Sequence, residues 1–182
     1  MTDLTQARVL IMATDGFEQS ELFRPREALM DAGVHVTLAS LGTEPIQGMR
    51  HDQPGQTITP DATIDQVDAQ DYDLLLLPGG VANPDTLRMH PEAVALVRAF
   101  ASAGKPIAAI CHAPWLLIEA DVARGKRMTS WPSLRTDLAN AGAEVVDAEV
   151  VIDGQFITSR QPDDIPAFSE AVLDRLRHLG EG

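Results

Sequence analysis

The sequence predicts an α/β fold, with a mostly parallel sheet covered by helices on both faces. Three observations carry this reading. Apolar strand-like runs alternate with helical patterns along the chain. Two of the runs, "DLLLLPGG" (73–80) and "KPIAAIC" (105–111), are apolar without alternation, as strands buried on both faces are. Turn signals and polar residues gather where strands end, and in open parallel sheets that end is where sites form.

The elements follow in order. "ARVLIMA" (7–13) reads as a buried strand. "RPREALMDAG" (24–33) reads as a short helix, with Pro25 near its start and Gly33 ending it. "VHVTLAS" (34–40) alternates and is β-branched, so it is a strand. Residues 73–80 form the third strand and its turn. "PEAVALVRAFASAG" (91–104) is an amphipathic helix with a glycine stop, and 105–111 is the fourth strand. Helices follow at 113–120 and 132–142. Residues 143–154 and 155–161 form a hairpin around Asp153-Gly154, and 163–180 closes the chain as a helix.

Composition bounds the function. The chain has 182 residues, suited to one compact domain, and 45% are hydrophobic, enough for a real core. Fourteen Lys and Arg face 27 Asp and Glu, for a net charge of −13. Such a surface repels phosphate backbones, so neither stable nucleic-acid binding nor an anionic membrane is expected. The longest apolar run is too short to span a bilayer, and residues 1–16 carry no signal-peptide pattern. Cys111 is the single cysteine, so the fold rests on no internal disulfide. Together these features favour a cytoplasmic protein. Nothing demands a cofactor. The histidines (His35, His51, His90, His112 and His178) are scattered, and no metal set stands out.

Three features fall at strand ends: "TDGFEQSE", "PGG" and "CHAP". Cys111 sits at a strand-to-helix junction, where unpaired N–H groups favour a thiolate, the attacking form of the side chain. A buried structural cysteine is the equal alternative. His112 is a candidate general base, or a side chain filling the first helical turn. Glu18 is the carboxylate chosen to lie beside the sulfur, protonated and donating to it, with Asp15 and Glu21 as rivals. Its plain alternative is a helix-capping acid. Gly79 and Gly80 let backbone N–H groups approach a developing oxyanion, or simply make a tight turn. His51 lies in a polar stretch and reads as loop. Trp115 and Trp131 read as core or interface residues rather than a stacking platform.

Five segments in order, "DGFEQSELFRPREAL", "LLLLPGG", "GKPIAAICHAPWLLIEA", "RMTSWPSLRTDLANAGAE" and "ITSRQPDDIPAFSEAVL", resemble the ThiJ/PfpI family of the glutamine-amidotransferase-like superfamily. The likeness runs from Arg8 to Leu176 and is nearest to the intracellular cysteine peptidase and general stress protein branch. It implies one ThiJ/PfpI-type domain over 1–182, with a flavodoxin-like three-layer α/β/α sandwich. It implies Cys111 as nucleophile, Glu18 as neighbouring acid and His112 as the histidine after the nucleophile. It also implies that Asp85, from a neighbouring subunit, completes a Cys-His-acid set. This segment is one residue longer than the family's usual spacing and carries Asp where Glu is common; both departures weigh against a peptidase triad. Trp131 stands where the family often has tyrosine, so that site lacks a hydroxyl.

The resemblance implies a cysteine hydrolase acting on glyoxal or methylglyoxal adducts of proteins, or on the free glyoxals. The alternatives are an intracellular peptidase and a redox-responsive stress or chaperone-like protein working through Cys111 oxidation. It also implies a homo-oligomer, dimer or hexamer, with small carbonyl compounds or modified proteins and peptides as substrates.

Overall fold

A computed structural model describes residues 1–181. Five parallel strands carry the architecture: β1 (Arg8–Met12), then, beyond a short strand β2 (Phe17–Glu18) and helix α1 (Gln19–Asp31), β3 (His35–Ser40). A hairpin follows, β4 (Ile46–Arg50) and β5 (Gln53–Ile58), then a short edge strand β6 (Ala62–Thr63) and the central β7 (Leu74–Leu77). Next come α2 (Ala82–Leu87), α3 (Pro91–Ser102), β8 (Ile107–Ile110) and α4 (Pro114–Glu119). The last part holds β9 (Arg127–Met128), α5 (Arg135–Asn140), β10 (Glu144–Val145), β11 (Val151–Asp153), β12 (Phe156–Ser159) and α6 (Ile165–Arg177).

The main sheet runs β11-β12-β8-β7-β1-β3-β6. Only β11 pairs antiparallel, with β12, which is the hairpin expected around Gly154. Taken in chain order, the five long parallel strands lie 2-1-3-4-5 across the sheet, the flavodoxin-like order. Its reversal point lies between β1 and β7, so the carboxyl ends of β1, β7 and β8 open on one crevice.

Strand alternation builds the layers. Leu10, Met12, Leu75, Leu77 and Ala109 face one side and pack with Val97, Phe100 and Leu116 of α3 and α4. Val9, Ile11, Leu74, Leu76, Ala108 and Ile110 face the other and pack with Leu22, Leu29, Phe168 and Val172 of α1 and α6. Both faces of the central strands are therefore covered, which explains why their sequences do not alternate in polarity. No helix among the described residues is long and apolar enough to cross a membrane.

Two departures from the sequence reading matter for the site. Helix α1 begins at Gln19, five residues before the expected start, and Pro25 sits inside it. A proline there forgoes its bond to the carbonyl of Glu21, a cost the buried Leu22 and Leu29 offset by packing. Residues 46–58, read in part as polar loop, form a hairpin whose two-residue tip is His51-Asp52. Side chains staple it over the crevice. Asp15 Oδ1 accepts from Gln47 N at 2.7 Å, and Gln19 Oε1 accepts from Gln56 N at 2.7 Å.

Candidate active site

Cys111 follows β8 with φ 67°, in the left-handed region that non-glycine residues rarely occupy. The turn is held from both sides. Its N–H donates to Ser159 O at 3.0 Å, and its carbonyl accepts from Trp131 N at 2.9 Å. Small Ala109 and Ala113 flank it, and Pro114 starts α4 directly after. Sequence left two readings of this cysteine open. The thiol is only 5% exposed, yet it lines a cavity of about 530 Å³ at the crevice. Backbone held in this unusual conformation with the side chain on a cavity wall is the arrangement of a nucleophile elbow.

The carboxyl beside the sulfur is that of Glu21, where the sequence reading had set Glu18. Glu21 is fully buried on the first turn of α1. Its Oε1 accepts from Gly79 N at 3.0 Å. Its Oε2 is sealed from solvent without a regular hydrogen bond, and the Cys111 sulfur lies within reach. Burial, then the charge of nearby Glu18, raises its pKa from 4.5 to about 8, so it is protonated at neutral pH. In the protonated state its O–H can turn to the Cys111 sulfur. Glu18 stands at the cavity wall, where both of its oxygens take the N–H of His51 at 3.2 Å. It is the residue before α1, but it makes no side-chain capping bond.

The thiol itself differs from expectation. Burial pushes its pKa up, and an ionised Glu21 would push it further, while the N–H groups of Gly80 and His112 pull it down. The repulsion vanishes once Glu21 holds its proton, but burial remains. Burial therefore favours a resting thiol over the thiolate of one of the two sequence readings. A base is at hand: His112 Nδ1 lies 3.1 Å from Sγ. Burial holds that imidazole below its ordinary value of 6.5, so it is neutral and able to accept a proton at neutral pH.

The two glycines part company. The Gly79 N–H is committed to Glu21, which leaves Gly80 and His112 as the N–H groups that face the sulfur. A Cβ on Gly79 would stand 2.6 Å from Cys111 Cβ and 2.7 Å from Ile110 O, so the site demands glycine there. Gly80 has φ 82°, a second reason for glycine. Buried Asn83 pins this turn. Its Nδ2 donates to Pro78 O and Gly79 O at 3.0 and 3.1 Å, while its Oδ1 accepts from Thr14 N at 2.8 Å. No sequence signal had singled it out beyond an Asn-Pro pair.

Trp131 does form a stacking platform. Its ring lies 5.8 Å from that of His112 and nearly parallel at 22°, and Trp115 meets the same imidazole edge-on at 5.2 Å. Asp137 accepts from Trp115 Nε1 at 3.0 Å, and the Arg88 guanidinium lies 4.3 Å from the Trp115 ring centre. Asp85 does not line the cavity of its own chain. It pairs with Arg88 at 2.9 Å on the outer side of α2. His51, read as loop, lies at the hairpin tip with φ 57° and lines the cavity with Met49 and Asp52. Only its turn-rich flanks hinted at this. Among the described residues, no cluster of three or more His, Cys, Asp or Glu is placed to hold a metal ion.

The sequence profile of the DJ-1/PfpI family matches residues 7–175. A Thermococcus kodakarensis deglycase is 42% identical over 170 residues, 93% of this chain and 99% of its own. The Escherichia coli protein/nucleic acid deglycase 2 is 42% identical over 168 residues, 91% of this chain and 95% of its own. The crystal structure of Drosophila melanogaster DJ-1beta superposes with a TM-score of 0.86 at 35% identity, covering 94% of this chain and 90% of that one.

Proposed function

This chain belongs to the DJ-1/PfpI family, and on that premise we propose that it is a stress-protective cysteine hydrolase acting on glyoxal and methylglyoxal adducts of proteins, or on the free glyoxals. One observation carries the reading: a left-handed Cys111 on a cavity wall, with a neutral histidine on one side and a protonated carboxyl on the other. The names of the Thermococcus and Escherichia relatives support the deglycase chemistry.

The steps follow from the proton positions. His112 Nδ1 takes the thiol proton as Sγ attacks the aldehyde carbon. The carbonyl π pair moves to oxygen, and the new alkoxide is held by the N–H of Gly80 and protonated by Glu21, giving a hemithioacetal. Glu21, now ionised, takes the proton from the carbon that bears sulfur. The protonated His112 gives its proton to the neighbouring carbonyl oxygen in the same step, so an enediol forms and the imidazole is neutral again. Glu21 then protonates the neighbouring carbon and takes back the hydroxyl proton of the sulfur-bearing carbon, which isomerises the adduct to a thioester. Water, activated by His112, cleaves the thioester to a 2-hydroxy acid and restores the thiol. For a protein-borne hemiaminal, the C–N bond breaks as His112, holding the thiol proton, passes it to the departing nitrogen, and Sγ bonds to the same carbon, giving the same hemithioacetal before the isomerisation.

The peptidase alternative calls for a carboxylate to orient the imidazole. In its own chain His112 meets the sulfur and two indoles, and Asp85 is spent on Arg88. A neighbouring subunit would have to bring an Asp85 freed from that pair, so the carbonyl reading is favoured. The redox reading shares Cys111 and would appear as oxidation without turnover.

The test is lactate formation from methylglyoxal, together with release of free N-acetylarginine from its methylglyoxal adduct. Cys111→Ala is expected to abolish both, and His112→Ala to reduce kcat by about 10²–10⁴. Full activity of Cys111→Ala overturns the proposal.

A further inference from the structure

The charge around the cavity bears on which carbonyl compounds reach the sulfur. Among the described residues that line it, none is lysine or arginine, while Glu18, Glu21 and Asp52 carry carboxyl groups. Glu18 faces the cavity with its charge held by a backbone N–H rather than by a cation. Two arginines outside the lining are engaged in ion pairs. Arg88 pairs with Asp85, and Arg160 forks onto Asp164 and also takes Asp147. The hairpin tip that sets Glu18 also sets Asp52, so the negative groups stand on one rigid wall. The whole chain adds a field of the same sign, at −13.

We propose that this site admits uncharged and cationic carbonyl compounds and excludes carboxylate-bearing ones such as 2-oxo acids, with Glu18 as the residue that determines this selectivity. The substrate class rests on the reading of the cavity as a carbonyl site, but the charge selection does not. Adducts on arginine and lysine side chains keep or border positive charge, and a wall of this sign draws them in. A 2-oxo acid would have to bring its carboxylate into a low-dielectric cavity opposite Glu18, with no cation there to receive it. Fields of this kind change encounter rates by about 10–10³.

Cys111 is the single cysteine, so thiol reagents report on this cavity alone. The experiment compares 2-aminoethyl and 2-sulfonatoethyl methanethiosulfonate, a cation and an anion with the same electrophilic sulfur. The Cys111 thiolate attacks that sulfur, forms a mixed disulfide and expels methanesulfinate. Each rate is measured at neutral pH and low salt, and divided by the rate for 2-mercaptoethanol. The normalised cation-to-anion ratio is expected to reach about tenfold or more in the wild type. It should fall at least threefold in Glu18→Gln and stay unchanged in Glu170→Gln, which removes one charge from the exposed side of α6. Glu18→Ala serves as the second variant if Glu18→Gln fails to fold, with the same fall expected, and Asp52→Asn should give a smaller one. A wild-type ratio near one overturns the proposal, as does an equal loss in Glu18→Gln and Glu170→Gln, which would make the effect one of net charge alone. A preserved ratio in a protein with no methylglyoxal turnover upholds charge selection and refutes the hydrolase reading instead.

Discussion

Glutamine at position 21 keeps the shape of the buried acid and removes its ability to ionise. Its Oε1 can still accept from Gly79 N, and its amide N–H can still donate to sulfur. The wild-type carboxyl is raised from 4.5 to about 8, chiefly by burial. Below pH 4.5 it is protonated both folded and unfolded, so it costs nothing. Between 4.5 and about 8 the unfolded chain gives up this proton and the folded chain retains it, so stability falls as pH rises. Above that interval both states are ionised and the slope ends. The whole interval corresponds to about 5 kcal/mol, of which about 4 falls between pH 5 and pH 8. The assay is urea unfolding of wild type and Glu21→Gln at those two pH values. Titrating groups that do not interact with Glu21 are common to both proteins and cancel in the difference. The advantage of Glu21→Gln over wild type should grow by about 4 kcal/mol from pH 5 to pH 8. With a urea slope of about 2 kcal/mol/M, the midpoints should separate by about 2 M more at the higher pH. A difference that does not change with pH would refute the protonated, buried Glu21 and the proton-transfer steps assigned to it.

Three further outcomes follow from the same geometry. Gly79→Ala, whose methyl would overlap Cys111 Cβ and the Glu21 carboxyl, should cost about 1–3 kcal/mol in urea unfolding and slow alkylation of Cys111; wild-type values for both would refute the close packing. Asn83→Ala leaves the Thr14 N–H and two carbonyls without their buried partner and should cost about 2–4 kcal/mol, with a cost under half a kcal/mol counting against it. The acid limb of kcat/KM for methylglyoxal should have its midpoint below 6.5, because burial lowers His112, and a midpoint above 6.5 would contradict the neutral imidazole.

How much of this was legible in the residues varies by element. The strand runs 7–13, 73–80 and 105–111 were plain, because a strand covered on both faces must be apolar at every position. The β11–β12 hairpin was plain too, since Asp153-Gly154 supplies the turn. The start of α1 was not. Pro25 is a start signal in most helices, and here the helix runs on through it; with the helix read from residue 24, Glu18 just past the first strand looks nearest the sulfur, whereas the first turn of α1 carries Glu21 there. The β4–β5 hairpin escaped because its outer strand, Gln53–Ile58, is mostly exposed and polar, with Pro54 and Gly55 reading as loop.

The sequence alone determined the layers and the turn that presents Cys111, because both are written in local pattern: unbroken apolar runs, small flanking alanines, a histidine and then a proline. Only the tertiary structure decided which carboxyl meets the sulfur, which glycine N–H faces the sulfur, and that burial favours a thiol beside a protonated acid. Those are properties of distance and burial between segments tens of residues apart. A proton's affinity for Glu21 depends on Gly79, Glu18 and the exclusion of water, none of which is encoded at position 21 itself.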